Sequence, residues 1–181
     1  MDLKIVFTGP PGAGKTTAIA ALSDSAPLRT EVSNTDTGLD KATTTVGLDF
    51  GQVDLGDGQR VRLFGTPGQQ RFAFMWRIVA AQALGLVILI DNRRPQPLAD
   101  LAVYLDHFAE LLPGMGCVVG VGRSDTHPQP ALDDFADALA ARGLAFPVLA
   151  VDVRRRDDVL MLVEAVVAQA EAADIGDTAL S

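Results

Sequence analysis

Gly9-Pro10-Pro11-Gly12-Ala13-Gly14-Lys15-Thr16 decides how this chain is read. The octet follows a β-branched apolar run, Leu3 to Thr8, and opens a helical segment, the strand-to-helix setting in which such a loop can hold an anion. Its glycines let the backbone wrap closely round a phosphate chain, and successive N–H groups add their positive potential to that of the helix amino terminus. Lys15 is placed to reach β- and γ-phosphates, and the Thr16 hydroxyl to bind Mg²⁺. The candidate phosphate-binding residues are therefore Gly9, Pro10, Pro11, Gly12, Ala13, Gly14, Lys15, Thr16 and Thr17.

Outward from the loop, apolar β-branched runs recur at Leu3 to Thr8, Val61 to Phe64, Leu84 to Ile90, Cys117 to Val121 and Pro147 to Val151. Helix-period segments separate them, with apolar stripes such as Leu98, Leu101, Leu105, Phe108 and Leu112. This alternation predicts an α/β fold whose mostly parallel sheet is covered by helices on both faces. Thr45 to Leu55 adds a strand, joined to Val61–Phe64 by the turn Gly56-Asp57-Gly58, so the sheet has six strands with one antiparallel edge strand. Pro27 to Thr44 reads as a long polar loop, and such loops inside compact domains carry function. The last helix gives way at Ile175 to a frayed tail.

The bulk properties remove several classes of function. A formal charge of −8 and an isoelectric point near 4.6 disfavour a grip on nucleic acid or anionic lipid, so neither is an expected partner. Ala80 to Ile90, broken by Gln82 and Gly85, is far short of the roughly 20 apolar residues a membrane span needs. Met1-Asp2-Leu3-Lys4 leads directly into a strand without a secretion signal, and Cys117 is the one cysteine, which favours a reducing, cytoplasmic compartment. Thr178-Ala179-Leu180-Ser181 carries no prenylation cysteine, so no membrane anchor is expected.

Two further segments point to a family. Thr45-Val46-Gly47-Leu48-Asp49-Phe50 resembles the effector loop of Ras-like small GTPases, in which a threonine precedes a run of this type entering the second strand. Phe64-Gly65-Thr66-Pro67-Gly68-Gln69-Gln70-Arg71-Phe72 resembles the second switch of the same family. Behind a phosphate loop of the P-loop NTPase type, the two occur in the right order. The resemblance runs from about Leu3 to Ala173 and is nearest to the prokaryotic branch that includes the polarity GTPase MglA. It implies a Ras-like G domain over residues 1–173 with a flexible tail at 174–181.

The resemblance further implies binding of GTP and GDP with Mg²⁺, slow hydrolysis of GTP to GDP and phosphate, and a protein effector or activator, the latter a roadblock-domain protein. Thr45 would close over the γ-phosphate and join Thr16 as a Mg²⁺ ligand, with Thr43 and Thr44 as neighbouring competitors for that register. Gly68 would donate its N–H to the γ-phosphate, and loss of that phosphate would release both loops. Gln69 falls on the catalytic glutamine, which orients the attacking water. Of the base-reading Asn-Lys-x-Asp, the chain keeps Asp125 within Gly122-Arg123-Ser124-Asp125. A carboxylate there accepts the N1 and N2 hydrogens of guanine, and Arg123 can lay its guanidinium over the base. A nucleotide-holding module with little hydrolysis and a P-loop phosphotransferase are the alternatives.

One departure bears on the metal. The second-switch aspartate that supports Mg²⁺ in the family is Gly65 here, so a carboxylate is missing unless Asp36, Asp40 or Asp49 substitutes. On that count the chain should hold Mg²⁺ weakly, and Gly65→Asp should tighten it. Pro67, which fixes φ, stiffens the same segment.

Overall fold

The computed structural model describes residues 2–25, 28–34 and 44–179. Six strands match the sequence reading: β1 (Asp2–Thr8), β3 (Thr44–Gly56), β4 (Gln59–Gly65), β5 (Gly85–Asp91), β6 (Gly116–Gly122) and β7 (Val148–Val151). A further strand, β2 (Leu28–Asn34), occupies part of the expected long loop and makes the sheet seven-stranded, in the order β2-β3-β4-β1-β5-β6-β7. β3 is the reversed strand, antiparallel to both β2 and β4, so the outer edge belongs to β2 and not, as the sequence reading has it, to the reversed strand. The β3–β4 connection is the expected tight turn: Asp57 and Gly58 have φ of 51° and 76°, the left-handed pair that matches the twist of a hairpin.

The helices are α1 (Lys15–Leu22), α2 (Ala73–Ala80), α3 (Pro97–Phe108), α4 (Leu132–Ala140) and α5 (Arg156–Ala179), with a 3-10 turn at Gln70–Phe72 before α2. Alternation along the central strands feeds two cores. Ile5, Phe7, Val87 and Leu89 meet α1 and α5 on one face, while Val6, Leu86, Ile88 and Ile90 meet α2, α3 and α4 on the other. β5 and β6 are buried along their whole length, which is why they read as unbroken apolar runs. α5 continues to Ala179, past Ala173, where the sequence reading starts a tail. Gly176, at a cost of about 1 kcal/mol, is a weak stop for an established helix, and no proline intervenes. Among the described residues, no helix is long and apolar enough to cross a membrane.

This topology positions the site. The chain leaves β1, builds toward β4 on one side, then crosses to β5 on the other, so β1 sits at the point where strand order reverses. In open sheets, ligands bind at such a point, beyond the carboxyl ends of the strands.

Candidate functional site

The phosphate loop bridges β1 and α1 under steric constraints that only glycine meets. Gly9 has φ 147°, and a Cβ there would lie 2.2 Å from the Leu89 carbonyl oxygen of β5. Gly14 caps α1 in the left-handed region at φ 99°, and a Cβ there would strike Val153 at 2.6 Å. The first turn of α1 contains no acid, so nothing on the helix offsets its positive end.

Lys15 is buried, and its ammonium donates to the carbonyl oxygens of Gly9 at 2.6 Å and Pro10 at 2.9 Å. Burial pushes its pKa down to about 8; the Asp49 carboxylate works against that shift and Arg94 reinforces it. An ammonium in such a place gains a strong partner when a phosphate arrives.

The second-switch segment lies directly against this cation. A Cβ at Gly68 would come within 2.8 Å of both Lys15 Nζ and the Pro11 nitrogen, so only glycine lets the strap approach so closely. Three contacts hold it: the Thr66 and Thr8 hydroxyls lie 2.7 Å apart, Trp76 Nε1 donates to the Pro67 carbonyl at 2.6 Å, and Tyr104 donates to the Gly68 carbonyl at 3.4 Å. Burial holds the Tyr104 hydroxyl well above its usual range, so it remains a donor. Gln69 is exposed at the start of the 3-10 turn, where its carbonyl accepts from Phe72 N–H at 3.0 Å. Arg71 is exposed too, stacked 4.8 Å over the Phe72 ring.

A cleft of about 860 Å³ runs from Gly12–Thr17 to the loop carrying Arg123 and Asp125, walled opposite by Ala150–Arg155. Its size suits a small organic ligand. Arg123, with φ 60°, pairs with Asp91 at 3.1 Å. Asp91 is buried at the end of β5; burial pushes its pKa up, but hydrogen bonds from Arg93 and the charges of Arg123 and Arg93 outweigh it and hold the carboxyl below its usual range. Next to it, Asn92 Nδ2 donates to the His127 and Pro130 carbonyls at 2.6 and 3.0 Å, pinning the loop that bears Asp125. Asp125 Oδ1 accepts from Thr126 N–H at 2.8 Å, which fixes the carboxylate's orientation.

The structure thus gathers Gly12, Ala13, Gly14, Lys15, Thr16, Thr17, Arg123 and Asp125 on one cleft, with Gly9, Pro10, Pro11 and Gly68 packed at its phosphate end. Thr45 lies in β3 opposite Ser33 of β2, and its side chain falls outside what is described. Thr43, Asp36 and Asp40 also lie outside the described residues. Sequence reasoning missed Asp91, Asn92 and Tyr104 as supports of the site. The legible signal for the first two was a polar pair ending a fully apolar strand.

For Mg²⁺ the donors fit. Thr16 Oγ1 donates to Asp49 Oδ2 at 2.5 Å, bringing a hydroxyl and a carboxylate together beside Lys15. No cluster of three acidic, histidine or cysteine side chains that could cage a metal occurs among the described residues. Hard oxygens in small number, completed by substrate phosphates and water, are what Mg²⁺ takes in such sites.

The family described as 50S ribosome-binding GTPase matches residues 4–113. Intraflagellar transport protein 22 of Chlamydomonas reinhardtii is 29% identical over 111 residues, 60% of this chain and 54% of that protein. ADP-ribosylation factor-related protein 1 of Homo sapiens is 27% identical over 138 residues, 75% of this chain and 66% of that protein. The matches span between about half and two thirds of the length of these curated relatives. Among solved structures, the Arl6 BBS3 small GTPase from Trypanosoma brucei with bound nucleotide analogue GppNp aligns with a TM-score of 0.66 at 16% identity, covering 95% of this chain and 99% of that one. At that identity the likeness is one of fold.

Proposed function

The chain belongs to the GTPase family described as 50S ribosome-binding GTPase, and from that premise we propose that it is a small nucleotide-dependent switch: it binds GTP and GDP with Mg²⁺, hydrolyses GTP slowly, and is accelerated by a protein partner. The observation that carries this reading is the strap at Gly68, close enough to Lys15 and Pro11 to leave no room for a Cβ. A phosphate arriving at Lys15 meets that strap, so nucleotide state and strap position are coupled by contact.

In this proposal Lys15 and the loop amides hold the β- and γ-phosphates, and Gly68 offers its N–H to the last of them. Thr16 and Thr45 supply hydroxyl ligands to Mg²⁺, whose charge offsets that developing on the transferred phosphoryl group. Gln69 orients the attacking water, and Asp125 and Arg123 read the base. The exposed position of Gln69 fits a chemistry completed by an activator, for which the resemblance to the prokaryotic MglA-like branch suggests a roadblock-domain protein. The compartment is cytoplasmic in the same reading.

Multiple-turnover phosphate release from the purified chain, with and without a candidate activator, tests the proposal, and a GTP-bound protein that never releases phosphate would reduce it to a nucleotide-holding module. Gln69→Leu is expected to leave GTP affinity nearly unchanged and to lower single-turnover hydrolysis on the order of 10²-fold, since only water orientation is lost. Hydrolysis at the parent rate would remove Gln69 from the mechanism. Trp76 is the single tryptophan, and its indole N–H holds the Pro67 carbonyl, so it reports directly on the strap. Exchange of GDP for a non-hydrolysable GTP analogue is expected to shift its emission; identical spectra in the two states would mean that the strap does not respond to the γ-phosphate.

A further inference from the structure

β4 ends in Gly65, which offers no side chain where the metal-supporting aspartate of Ras-like GTPases is expected. Its backbone is not the reason for glycine, because Gly65 is absent from the positive-φ residues. What a Cβ would meet there is Ile19 Cδ1 at 3.1 Å, Asp49 Cβ at 3.2 Å and Asp49 Oδ2 at 3.4 Å. The Asp49 carboxylate of β3 folds over Gly65 and fills the space that a side chain on β4 would claim.

The register explains how. Asp49 and Gly65 are direct partners across the antiparallel β3–β4 ladder, so their side-chain positions share one face. That face looks toward α1, where Asp49 Oδ2 accepts the Thr16 hydroxyl proton at 2.5 Å. A hydroxyl whose proton is committed to a carboxylate turns its oxygen lone pairs outward, ready for a cation.

We propose that Asp49 is the positioning carboxylate of the Mg²⁺ site, orienting Thr16 and adding the negative charge that Gly65 cannot, so that the metal-supporting acid has moved across the ladder from β4 to β3. The inference rests on the GTPase reading above and chooses Asp49 among the three acids that the sequence reading leaves open as replacements for the missing carboxylate.

Release of a fluorescent GDP analogue, followed by stopped flow across a Mg²⁺ titration, tests it in four proteins: the parent, Asp49→Asn, Gly65→Asp and the double variant. Asp49→Asn is expected to raise the Mg²⁺ concentration that half-maximally slows release by about 10–100-fold. Gly65→Asp alone brings no tightening, because a second carboxylate enters in contact with the first. In the double variant the acid stands on β4 instead, and the Mg²⁺ dependence returns toward the parent's, a coupling that two independent sites would not show. Parent-like Mg²⁺ dependence in Asp49→Asn overturns the inference, as does Gly65→Asp tightening Mg²⁺ by about tenfold or more while Asp49 is present. The second criterion decides alone if thermal melting shows that Asp49→Asn does not fold. A parent chain that binds no GDP would take the GTPase reading down as well, whereas GDP binding with unaltered Mg²⁺ dependence in Asp49→Asn removes only the role of Asp49.

Discussion

Lys15→Ala is expected to weaken nucleotide binding by about one to three orders of magnitude while the nucleotide-free protein folds as before. Lys15 is 8% exposed, and its ammonium is held by two loop carbonyls, those of Gly9 and Pro10. Burial penalises its charge and pushes its pKa down to about 8 from the ordinary 10.5. Incoming phosphates offset that penalty with charge-assisted hydrogen bonds. Losing one partner of a buried, hydrogen-bonded charge pair costs about 2–5 kcal/mol, or about 30- to 4,000-fold in affinity. Alanine also removes the buried charge, so the melting temperature without nucleotide should not fall at neutral pH. Titration with a fluorescent GDP analogue checks the first half and thermal melting the second. Unchanged affinity would undo the phosphate-loop assignment.

The same residue shows what the sequence could and could not say. The loop was legible because its chemistry is local: eight consecutive residues set spacing, backbone freedom and charge together. The six strands with apolar faces were legible for a similar reason, since burial on one or both sides writes itself into the pattern. β2 was not, because Leu-Arg-Thr-Glu-Val-Ser-Asn carries little apolar signal and reads as loop. α2 follows the second-switch segment with a run of large apolar residues, Phe74-Met75-Trp76. The structure buries Met75 and Trp76 and leaves Phe74 54% exposed, a division that needed the sheet to be in place. Asp49 was one of three acids that could replace the missing carboxylate. Only the β3–β4 register, which puts it opposite Gly65, separates it from Asp36 and Asp40, which lie outside the described residues. Asp91 escaped notice because the polar pair that it forms with Asn92 at the end of β5 matches no motif on its own, and its importance arises from Arg123, more than thirty residues further along.

At the base end of the cleft, Asp125→Asn is expected to turn a guanine site into a xanthine site. Asp125 hangs from a loop that Asn92 pins at the His127 and Pro130 carbonyls, and its own Oδ1 is oriented by Thr126 N–H. Nearby cations are already engaged: Arg123 with Asp91 at 3.1 Å, and Arg154 with Asp152 at 2.7 Å. The carboxylate therefore faces the cleft as an acceptor, suited to the N1 and N2 hydrogens of guanine and mismatched to adenine, which presents no hydrogen at N1. Hydrogen bonds to a charged group contribute about 1.5–3 kcal/mol each, so two of them set a guanine preference of roughly 10²–10⁴-fold over adenine. Asparagine replaces one acceptor oxygen by an NH₂ donor, which suits the C2 oxygen of xanthine and leaves the guanine amino group facing another donor. GTP affinity should fall by roughly 10²-fold or more and XTP should become the better ligand. Displacement of a fluorescent GDP analogue from the parent, and of a fluorescent XDP analogue from the variant, measures both preferences. Equal displacement by ATP and GTP in the parent would mean that Asp125 does not read the base. Since the role of Asp125 is to read the base and not the phosphates, the ranking should change without altering how release depends on Mg²⁺. A variant that lost all triphosphates equally would instead show that Asp125 holds the loop in shape.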